Sequence, residues 1–252
     1  MAPEHPALIA LHNLADRTDV RIADEHNWRI GEIDPATVRR AAVLVLFGVL
    51  DDVPAASATA GGPIGENVGD DVDVLIVVRA ATLRKHAGQP AFPGGKIDPE
   101  DYVEARERNV PVEHVAALRE AVEETGLDPA GVQILGSLNE KPLPISNFMV
   151  TPVLAWWNST STVAAQDTNE SSLVLRVPVR DLLNPANRHM AQVSRGKTRH
   201  NSPAFTVTTE ASPQGHFVIW GFTGIILDQL FRELGWAVDW DKSDRRPAPG
   251  TR

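Results

Sequence analysis

Three glutamates on one face of a predicted helix constrain this chain more than any other feature. Glu120, Glu123 and Glu124 are spaced i, i+3 and i+4, so a helix places their carboxylates side by side. Neighbouring carboxylates repel one another unless a cation joins them. With no sulfur ligand and no histidine nearby, the cation expected is a hard ion, Mg²⁺ or Mn²⁺. Glutamates are also common on solvated helix surfaces, so the surrounding sequence has to decide between the two interpretations.

The sequence around the glutamates predicts two consecutive helices after the Gly94-Gly95 turn. Asp98 is a suitable cap for the first helix, which runs to about Arg108. Pro111 can open the second helix, which runs to Thr125 and stops at Gly126. The predicted core stripe of this second helix consists of Val112, Val115, Leu118 and Val122. The opposite side carries Glu113, Glu120 and Glu124, which therefore face a cleft or solvent.

Apolar runs of strand length indicate a sheet that is covered on both faces. Ala41–Phe47 and Val72–Val78 are continuous apolar runs, which is typical of strands with helices on both sides. The other predicted strands are Val132–Leu138, Met149–Trp157, Leu173–Val179, Phe205–Thr209 and Phe217–Trp220. An amphipathic helix is predicted over Gly224–Leu234, closed by Gly235. The expected class is therefore α/β.

The 252 residues suit one elaborated domain with extensions. We expect a lead-in over residues 1–40, the main domain over 41–240 and a flexible polar tail over 241–252. Within the domain, Asp51–Asp71 is rich in Ala, Gly, Pro and Asp, which predicts a long surface loop.

Composition excludes several functional classes. The formal net charge of −9 argues against a nucleic-acid surface and against an anionic membrane. No run approaches the ~20 apolar residues of a spanning helix, and the first sixteen residues lack a signal-peptide pattern. The chain has no cysteine, so disulfides, thiolate metal sites and a thiol nucleophile are all excluded, and the cytoplasm is the expected location.

One segment of the chain resembles the box of the Nudix hydrolase family. It runs from Phe92-Pro93-Gly94-Gly95 to Arg119-Glu120-Ala121-Val122-Glu123-Glu124-Thr125-Gly126-Leu127. This resemblance implies a Nudix-type α/β/α sandwich around a mixed β-sheet. It also implies that Glu120 and Glu124 coordinate Mg²⁺ or Mn²⁺, that Glu123 assists, and that the Gly94 carbonyl completes the shell. Arg119 is expected to orient a glutamate rather than touch substrate.

The reaction that the resemblance implies is hydrolysis of a nucleoside diphosphate linked to another group. Metal ions would neutralise the diphosphate and acidify a water, and a nearby acid would accept the proton of that water. The family often supplies this acid, or a further ligand, from a loop before a later strand. Glu170 occupies the matching position in this chain. An exposed loop glutamate without a catalytic role is the alternative interpretation.

Residues before the box are similar to the coenzyme A diphosphatase branch of the family, especially its actinobacterial members. Arg79, Arg84, Gly88 and Phe92 stand at the intervals of that branch, and the resemblance implies that these four residues bind substrate. Later segments, Val177-Pro178-Val179-Arg180-Asp181-Leu182-Leu183-Asn184-Pro185 and Ile219-Trp220-Gly221-Phe222-Thr223-Gly224, are also similar to it. Arginines suit coenzyme A because a guanidinium matches the geometry of its 3′-phosphate and diphosphate. In the alternative interpretation, Arg79 merely ends a strand and Arg84 is an exposed surface residue.

The spacing inside the box departs from the usual family pattern. Asp101 stands where the family usually has a glutamate, and seventeen residues (102–118) separate it from Arg119. This longer spacer argues against a role for Asp101 near the metals and leaves room for Glu113 to face the site. The extra segment, Tyr102–Asn109, is mostly polar, so we expect it to be dispensable for folding and hydrolysis.

Three functional hypotheses remain open from the sequence. The favoured substrate is coenzyme A or its thioesters, which would yield adenosine 3′,5′-bisphosphate and a phosphopantetheine. A second hypothesis keeps the chemistry and changes the substrate to ADP-ribose or another nucleoside diphosphate sugar. A third is a Nudix-like module that binds a nucleotide or a partner protein without turnover, which the intact glutamates oppose. The partner is thus a small molecule rather than nucleic acid or membrane, and the sequence leaves a homodimer open.

Overall fold

The computed structural model describes residues 4–17, 31–49, 72–80, 88–195, 198–212 and 214–250. Its α-helices are α1 (Pro6–Ala15), α2 (Pro99–Arg108), α3 (Val112–Thr125), α4 (Val179–Leu183) and α5 (Gly221–Glu233). The strands of the first half are β1 (Arg39–Val49), β2 (Val72–Arg79), β3 (Pro90–Ala91), β4 (Gly94–Lys96), β5 (Val132–Ser137) and β6 (Lys141–Leu143). Those of the second half are β7 (Phe148–Trp157), β8 (Ser171–Pro178), β9 (Arg188–Arg195), β10 (Thr198–Thr208), β11 (His216–Ile219) and β12 (Arg245–Pro247).

Strand β1 lies at the centre of the larger sheet. It pairs parallel with β7, from Arg39 opposite Phe148 to Gly48 opposite Trp157, and antiparallel with β2 and β4. The main order is β3-β2-β1-β7-β5, with β6 on β7 and β8 on β2. The sheet is therefore mixed, as the sequence predicts.

Alternate residues of β1 face two different cores. Leu44 and Leu46 point to the core under α3, whereas Val45 and Phe47 point to the core under α1, α4 and α5. All four side chains are fully buried, which explains why the strand is a continuous apolar run. The result is an α/β/α sandwich in which α3 alone, of these helices, covers the face that carries the box.

The predicted core stripe of α3 is wrong in its details. The buried positions are Val115, Ala116, Ala117, Ala121 and Thr125, whereas Val112, Leu118 and Val122 are only partly buried. Helix α3 lies close to the sheet, so small alanines fit its buried face and larger side chains lie at the edges of the contact. The large apolar residues therefore do not mark the centre of the buried face.

A second, four-stranded sheet has the order β11-β10-β9-β12 and packs with α5. Of this sheet, the sequence predicted β11 and the end of β10 but missed β9, because the β9 sequence Arg-His-Met-Ala-Gln-Val-Ser-Arg is mostly polar. The polar tail also differs from the flexible segment expected. Arg245–Pro247 pairs parallel with β9, and Ala248 is buried.

The N-terminal lead-in contributes to the core rather than lying apart from it. Ala7, Leu8, Leu11 and Leu14 of α1 are buried in the core on the α5 side. None of the described helices is long and apolar enough to cross a lipid bilayer. The predicted loop Asp51–Asp71 lies outside the described residues, and the boundaries of the predicted domains stay a prediction.

Candidate active site

The paired glycines of β4 lie directly against the glutamates of α3. The Gly94 backbone N–H donates to Oε2 of Glu124 at 3.1 Å. A Cβ atom added to Gly95 would come within 2.4 Å of the Glu120 carboxyl carbon. Gly94 therefore bonds Glu124, and Gly95 lies against Glu120. The close approach of β4 to α3 depends on the absence of a side chain at these two positions.

Gly94 is also required by the sheet itself. Its φ angle is +156°, and an added Cβ atom would lie 2.4 Å from the Ala42 carbonyl oxygen and 2.6 Å from the Val43 Cα atom. Because these atoms belong to the backbone of β1, they cannot move without disturbing the strand pairing. The glycine thus allows β4 to pair closely with β1, and in this position the Gly94 N–H reaches Glu124 of α3.

Arg119 links the acids to one another. Its Nη1 donates to Oε1 of Glu120 and to Oε2 of Glu123, both at 3.0 Å. Its Nη2 donates to the Lys96 carbonyl oxygen at 3.1 Å, which ties α3 to the end of β4. Arg119 thus contacts two glutamates of the box, and its expected role in orienting a glutamate rather than touching substrate stays a prediction.

Asp101 is the residue of this site that the sequence interpretation missed. Its carboxylate is 2% exposed and accepts from Arg119 at two points, Nε–Oδ1 at 2.8 Å and Nη2–Oδ2 at 3.0 Å. It also accepts from the Asp98 backbone N–H at 2.8 Å, which caps the start of α2. The expectation that the longer spacer separates Asp101 from the site is wrong, because the extra residues form α2 and turn back before α3. In the part of the chain that the structure describes, Glu113 forms no hydrogen bond or ion pair with these acids.

The two glutamates nearest the glycines have perturbed acidities. Burial raises the pKa of Glu124 to about 7; the charges of Glu120 and Glu170 add to this rise, while the Gly94 N–H and the charge of Arg79 oppose it. Burial also raises the pKa of Glu120, against the lowering effect of Arg119. For Asp101, burial acts upward but the hydrogen bonds from Arg119 and the charge of Arg119 outweigh it, so its pKa lies below the usual value.

Arg79 and Glu170 come together at the end of β2. Glu170 immediately precedes β8, and its carbonyl oxygen accepts from the Ala80 N–H at 2.8 Å. Arg79 pairs in register with Ser171, next to a β-bulge. Both charges act on Glu124, in opposite directions. Among the described residues, the buried Nε of Arg79 has no hydrogen-bond acceptor. The two predicted residues therefore lie together on the β2–β8 strand pair, and both influence the pKa of the same glutamate.

The other residues predicted to contact substrate are Arg84, Gly88 and Phe92, and the described part of the chain does not bring them together at the site. Arg84 lies outside the described residues. Gly88 is exposed, has a φ angle of +68°, and donates its N–H to the Arg79 carbonyl oxygen at 3.1 Å, so it closes the connection from β2 to β3. Phe92 is 3% exposed and belongs to the core on the α5 side, away from α3. The prediction that Phe92 contacts substrate is therefore wrong, since packing accounts for its position.

The donor set suits a hard cation. Glu120, Glu123 and Glu124 offer only carboxylate oxygens, which are the ligands that a hard cation prefers. Burial disfavours the negative charge of Glu124, and a bound cation would compensate that charge. In the described part of the chain, however, no three acidic or histidine side chains are arranged to hold a metal ion as they stand. Arg119 bonds one oxygen each of Glu120 and Glu123, and the second oxygen of each carboxylate can bind a cation while Arg119 holds the first.

Comparisons with known proteins agree on one family. The NUDIX domain family matches residues 65–196. The uncharacterized Nudix hydrolase NudL of Cronobacter sakazakii is 32% identical over 163 residues, which cover 64% of this chain and 75% of that protein. NudL of Salmonella newport is 33% identical over the same length and with the same coverage. A crystal structure of a Nudix hydrolase from Alicyclobacillus acidocaldarius aligns over 58% of this chain and 82% of its own, with 22% identity and a TM-score of 0.41. The chain belongs to the Nudix family and is a Nudix hydrolase.

Proposed function

We propose that the protein is a metal-dependent diphosphatase that cleaves the diphosphate bond of coenzyme A or its thioesters. The products would be adenosine 3′,5′-bisphosphate and (acyl-)phosphopantetheine. The observation that carries this proposal is that Arg79 and Glu170 lie together at the end of β2, where both charges act on the buried Glu124. An arginine beside an acidic cation site offers a polyanion two kinds of positive charge at one place.

Glu120 and Glu124 would be the main ligands of Mg²⁺ or Mn²⁺, with Glu123 and the Gly94 carbonyl completing the set. The bound cation would supply positive charge to the diphosphate and would make a water more acidic. The geometry that supports this assignment is the contact of each glycine with one glutamate, Gly94 with Glu124 and Gly95 with Glu120. Arg119 would hold Glu120 and Glu123 in place beside the cation.

Glu170 would accept the proton of the attacking water. The water oxygen would bond to one phosphorus as the bond from that phosphorus to the bridging oxygen breaks, and the departing phosphate would keep the bridging oxygen. Glu170 is exposed, which suits a group that exchanges a proton with solvent after each turnover. Its position at the end of β2, held by the bond to Ala80, supports this role over that of an ordinary loop residue.

The preference for coenzyme A rests on the segment before the box. Arg79 has a buried Nε without an acceptor among the described residues, so it can bind a phosphate oxygen without breaking an internal bond at that atom. Arg84 and the turn at Gly88 follow at the intervals of the coenzyme A branch. We also propose a cytoplasmic location, which the absence of cysteine supports.

The test is product analysis of the purified chain with coenzyme A and, separately, with ADP-ribose, each with Mg²⁺ or Mn²⁺. We expect adenosine 3′,5′-bisphosphate from coenzyme A, and we expect Glu124→Gln to remove this activity. Faster turnover of ADP-ribose would overturn the substrate assignment and keep the chemistry. Full activity of the Glu124→Gln variant would overturn the metal-ligand assignment.

A further inference from the structure

The connection between β7 and β8 carries Glu170 to the site, and it is bound to the helix that carries Glu124. We propose that this connection, residues 158–170, is the device that positions Glu170, and that Asp167 is its key positioning residue. The inference rests on the proposed role of Glu170. We call residues 158–170 the β7–β8 connection.

The first step is the attachment of the β7–β8 connection to the end of α3. The backbone N–H of Ala164 donates to the Thr125 carbonyl oxygen at 2.9 Å, and that of Gln166 donates to the Glu124 carbonyl oxygen at 3.1 Å. The last carbonyls of a helix have no partner within the helix, so an outside donor is needed to satisfy them. The connection thus supplies this partner to Glu124 itself.

The side chain of Gln166 strengthens this attachment. Its Nε2 donates to the Ala164 carbonyl oxygen at 2.8 Å and lies 2.6 Å from the position that a Cβ atom on Gly126 would take. Gly126 has a φ angle of +69°, so it ends α3 in the left-handed region and leaves a flat backbone surface for the amide. Long connections without such contacts are usually mobile, whereas this one is held where α3 ends.

The second step is a turn that begins at Asp167. Its Oδ1 accepts from the backbone N–H of Asn169 at 2.8 Å and from Asn169 Nδ2 at 2.9 Å. Its carbonyl oxygen accepts from the backbone N–H groups of Glu170 at 3.1 Å and Ser171 at 2.9 Å. The aspartate therefore closes the turn from both its side chain and its backbone.

These bonds form a short path between two acids of the site. Starting from the Glu124 carbonyl, the path runs through the Gln166 N–H, the following residue Asp167 and its carbonyl, and the Glu170 N–H. On its other side, Glu170 is held by the bond from its carbonyl to the Ala80 N–H. Because Glu170 is exposed and its side chain is long, only its backbone can keep its carboxylate near one place. The turn at Asp167 does this by fixing the backbone on the side of α3.

The experiment compares three variants by kcat and KM on the diphosphate that the wild type turns over fastest. Asp167→Ala removes the side-chain acceptor, and we expect kcat to fall at least about 5-fold while KM stays within about 2-fold. Asp167→Asn keeps Oδ1 and should restore kcat to within about 2-fold of the wild type. The matched control is Thr168→Ala in the same turn, which should leave both constants unchanged. Unchanged kcat in Asp167→Ala, or equal losses in Asp167→Ala and Asp167→Asn, would overturn the inference.

A double-mutant cycle with Glu170→Gln separates this inference from the proposed function. If Asp167 acts by positioning Glu170, Asp167→Ala should have no further effect on kcat once Glu170 is replaced. A full additional loss in the double variant would show that Asp167 acts elsewhere, and the inference would be wrong even though the enzyme is active. Failure of the proposed function has a different signature: Glu170→Gln itself would leave kcat unchanged. Thermal unfolding of each variant checks that the fold is intact.

Discussion

Asp101 and Arg119 form a two-point salt bridge, with Nε–Oδ1 at 2.8 Å and Nη2–Oδ2 at 3.0 Å. The same guanidinium also bonds Glu120 and Glu123, so the orientation of two candidate metal ligands depends on a residue of another helix. A lysine could not replace Arg119 here, because one ammonium cannot present a planar fork to Asp101 and reach both glutamates. The acids of α3 are therefore positioned from α2.

We expect Asp101→Asn to lower both stability and activity. It leaves the Arg119 charge without its most buried partner, which should cost about 2 kcal/mol of unfolding free energy and reduce kcat several-fold. Urea denaturation and steady-state kinetics measure the two effects. The matched control is Glu104→Gln, which breaks an exposed pair with Arg108 on the same helix and should cost under about 0.5 kcal/mol. Equal, small effects of both substitutions would show that the buried pair does not organise the site.

We expect Glu124→Gln to stabilise the metal-free protein at neutral pH. Folding raises the pKa of Glu124 from its usual 4.5 to about 7, so the folded state holds this proton more tightly than the unfolded state. The stability that this proton contributes is fully present below pH 4.5 and is lost as pH rises through about 7. Relative to wild type, the variant should gain about 3 kcal/mol of unfolding free energy above that pH and nothing at acid pH. The measurement is denaturation in EDTA across this range.

Added Mg²⁺ should reverse the order of these two proteins. In the wild type, a cation that binds the folded state raises the melting temperature, and the loss of a ligand charge should reduce this rise in Glu124→Gln. An identical Mg²⁺-induced rise in both proteins would mean that Glu124 is not a ligand.

The two glycines of the turn should fail in different ways when replaced by alanine. In Gly95→Ala, the three atoms nearest the new Cβ atom all belong to the Glu120 carboxyl group, so we expect a folded protein with a large loss of kcat. In Gly94→Ala, the Cβ atom meets the β1 backbone, so we expect the protein to be less stable. Its melting temperature should fall by about 5 °C or more. Thermal unfolding beside kinetics tells the two apart. Retained activity in Gly95→Ala would contradict the close contact with Glu120.

Removing the 3′-phosphate from coenzyme A should reduce kcat/KM at least about 10-fold. One lost charge-assisted contact to an arginine is worth about 1.5 to 3 kcal/mol. The measurement compares coenzyme A with 3′-dephospho-coenzyme A on the wild type. Equal kcat/KM values would exclude recognition of this phosphate by Arg79 or Arg84.

The sequence predicted that the extra segment, Tyr102–Asn109, is dispensable, but the structure leads us to expect that the segment is needed for activity. Helix α2 is ten residues long, Ala105 is buried, and Asn109 ends the helix in the left-handed region. Replacing Val103–Asn109 by a short Gly-Ser link would leave only Pro99–Tyr102 of α2, about one turn, which is too short to remain helical. We therefore expect this variant to lose as much kcat as Asp101→Asn. Unchanged kcat would restore the view that the segment is dispensable.

Local sequence determined the elements of the box. The i, i+3, i+4 spacing, the cap at Asp98 and the stop at Gly126 act over a few residues, and the structure has them where they were predicted. The apolar runs of β1 and β2 were equally clear, because a strand buried on both faces must be apolar throughout.

Only the tertiary structure decided which distant residues complete this local pattern. Asp101 bonds Arg119 because α2 folds back on α3, Phe92 faces the core opposite α3, and the polar strand β9 exists because β10 and β12 pair with it. Each of these facts depends on the position of a partner far along the chain. Periodicity and capping describe a residue's own element, whereas hydrogen bonds between elements also depend on how the whole sheet and its helices pack.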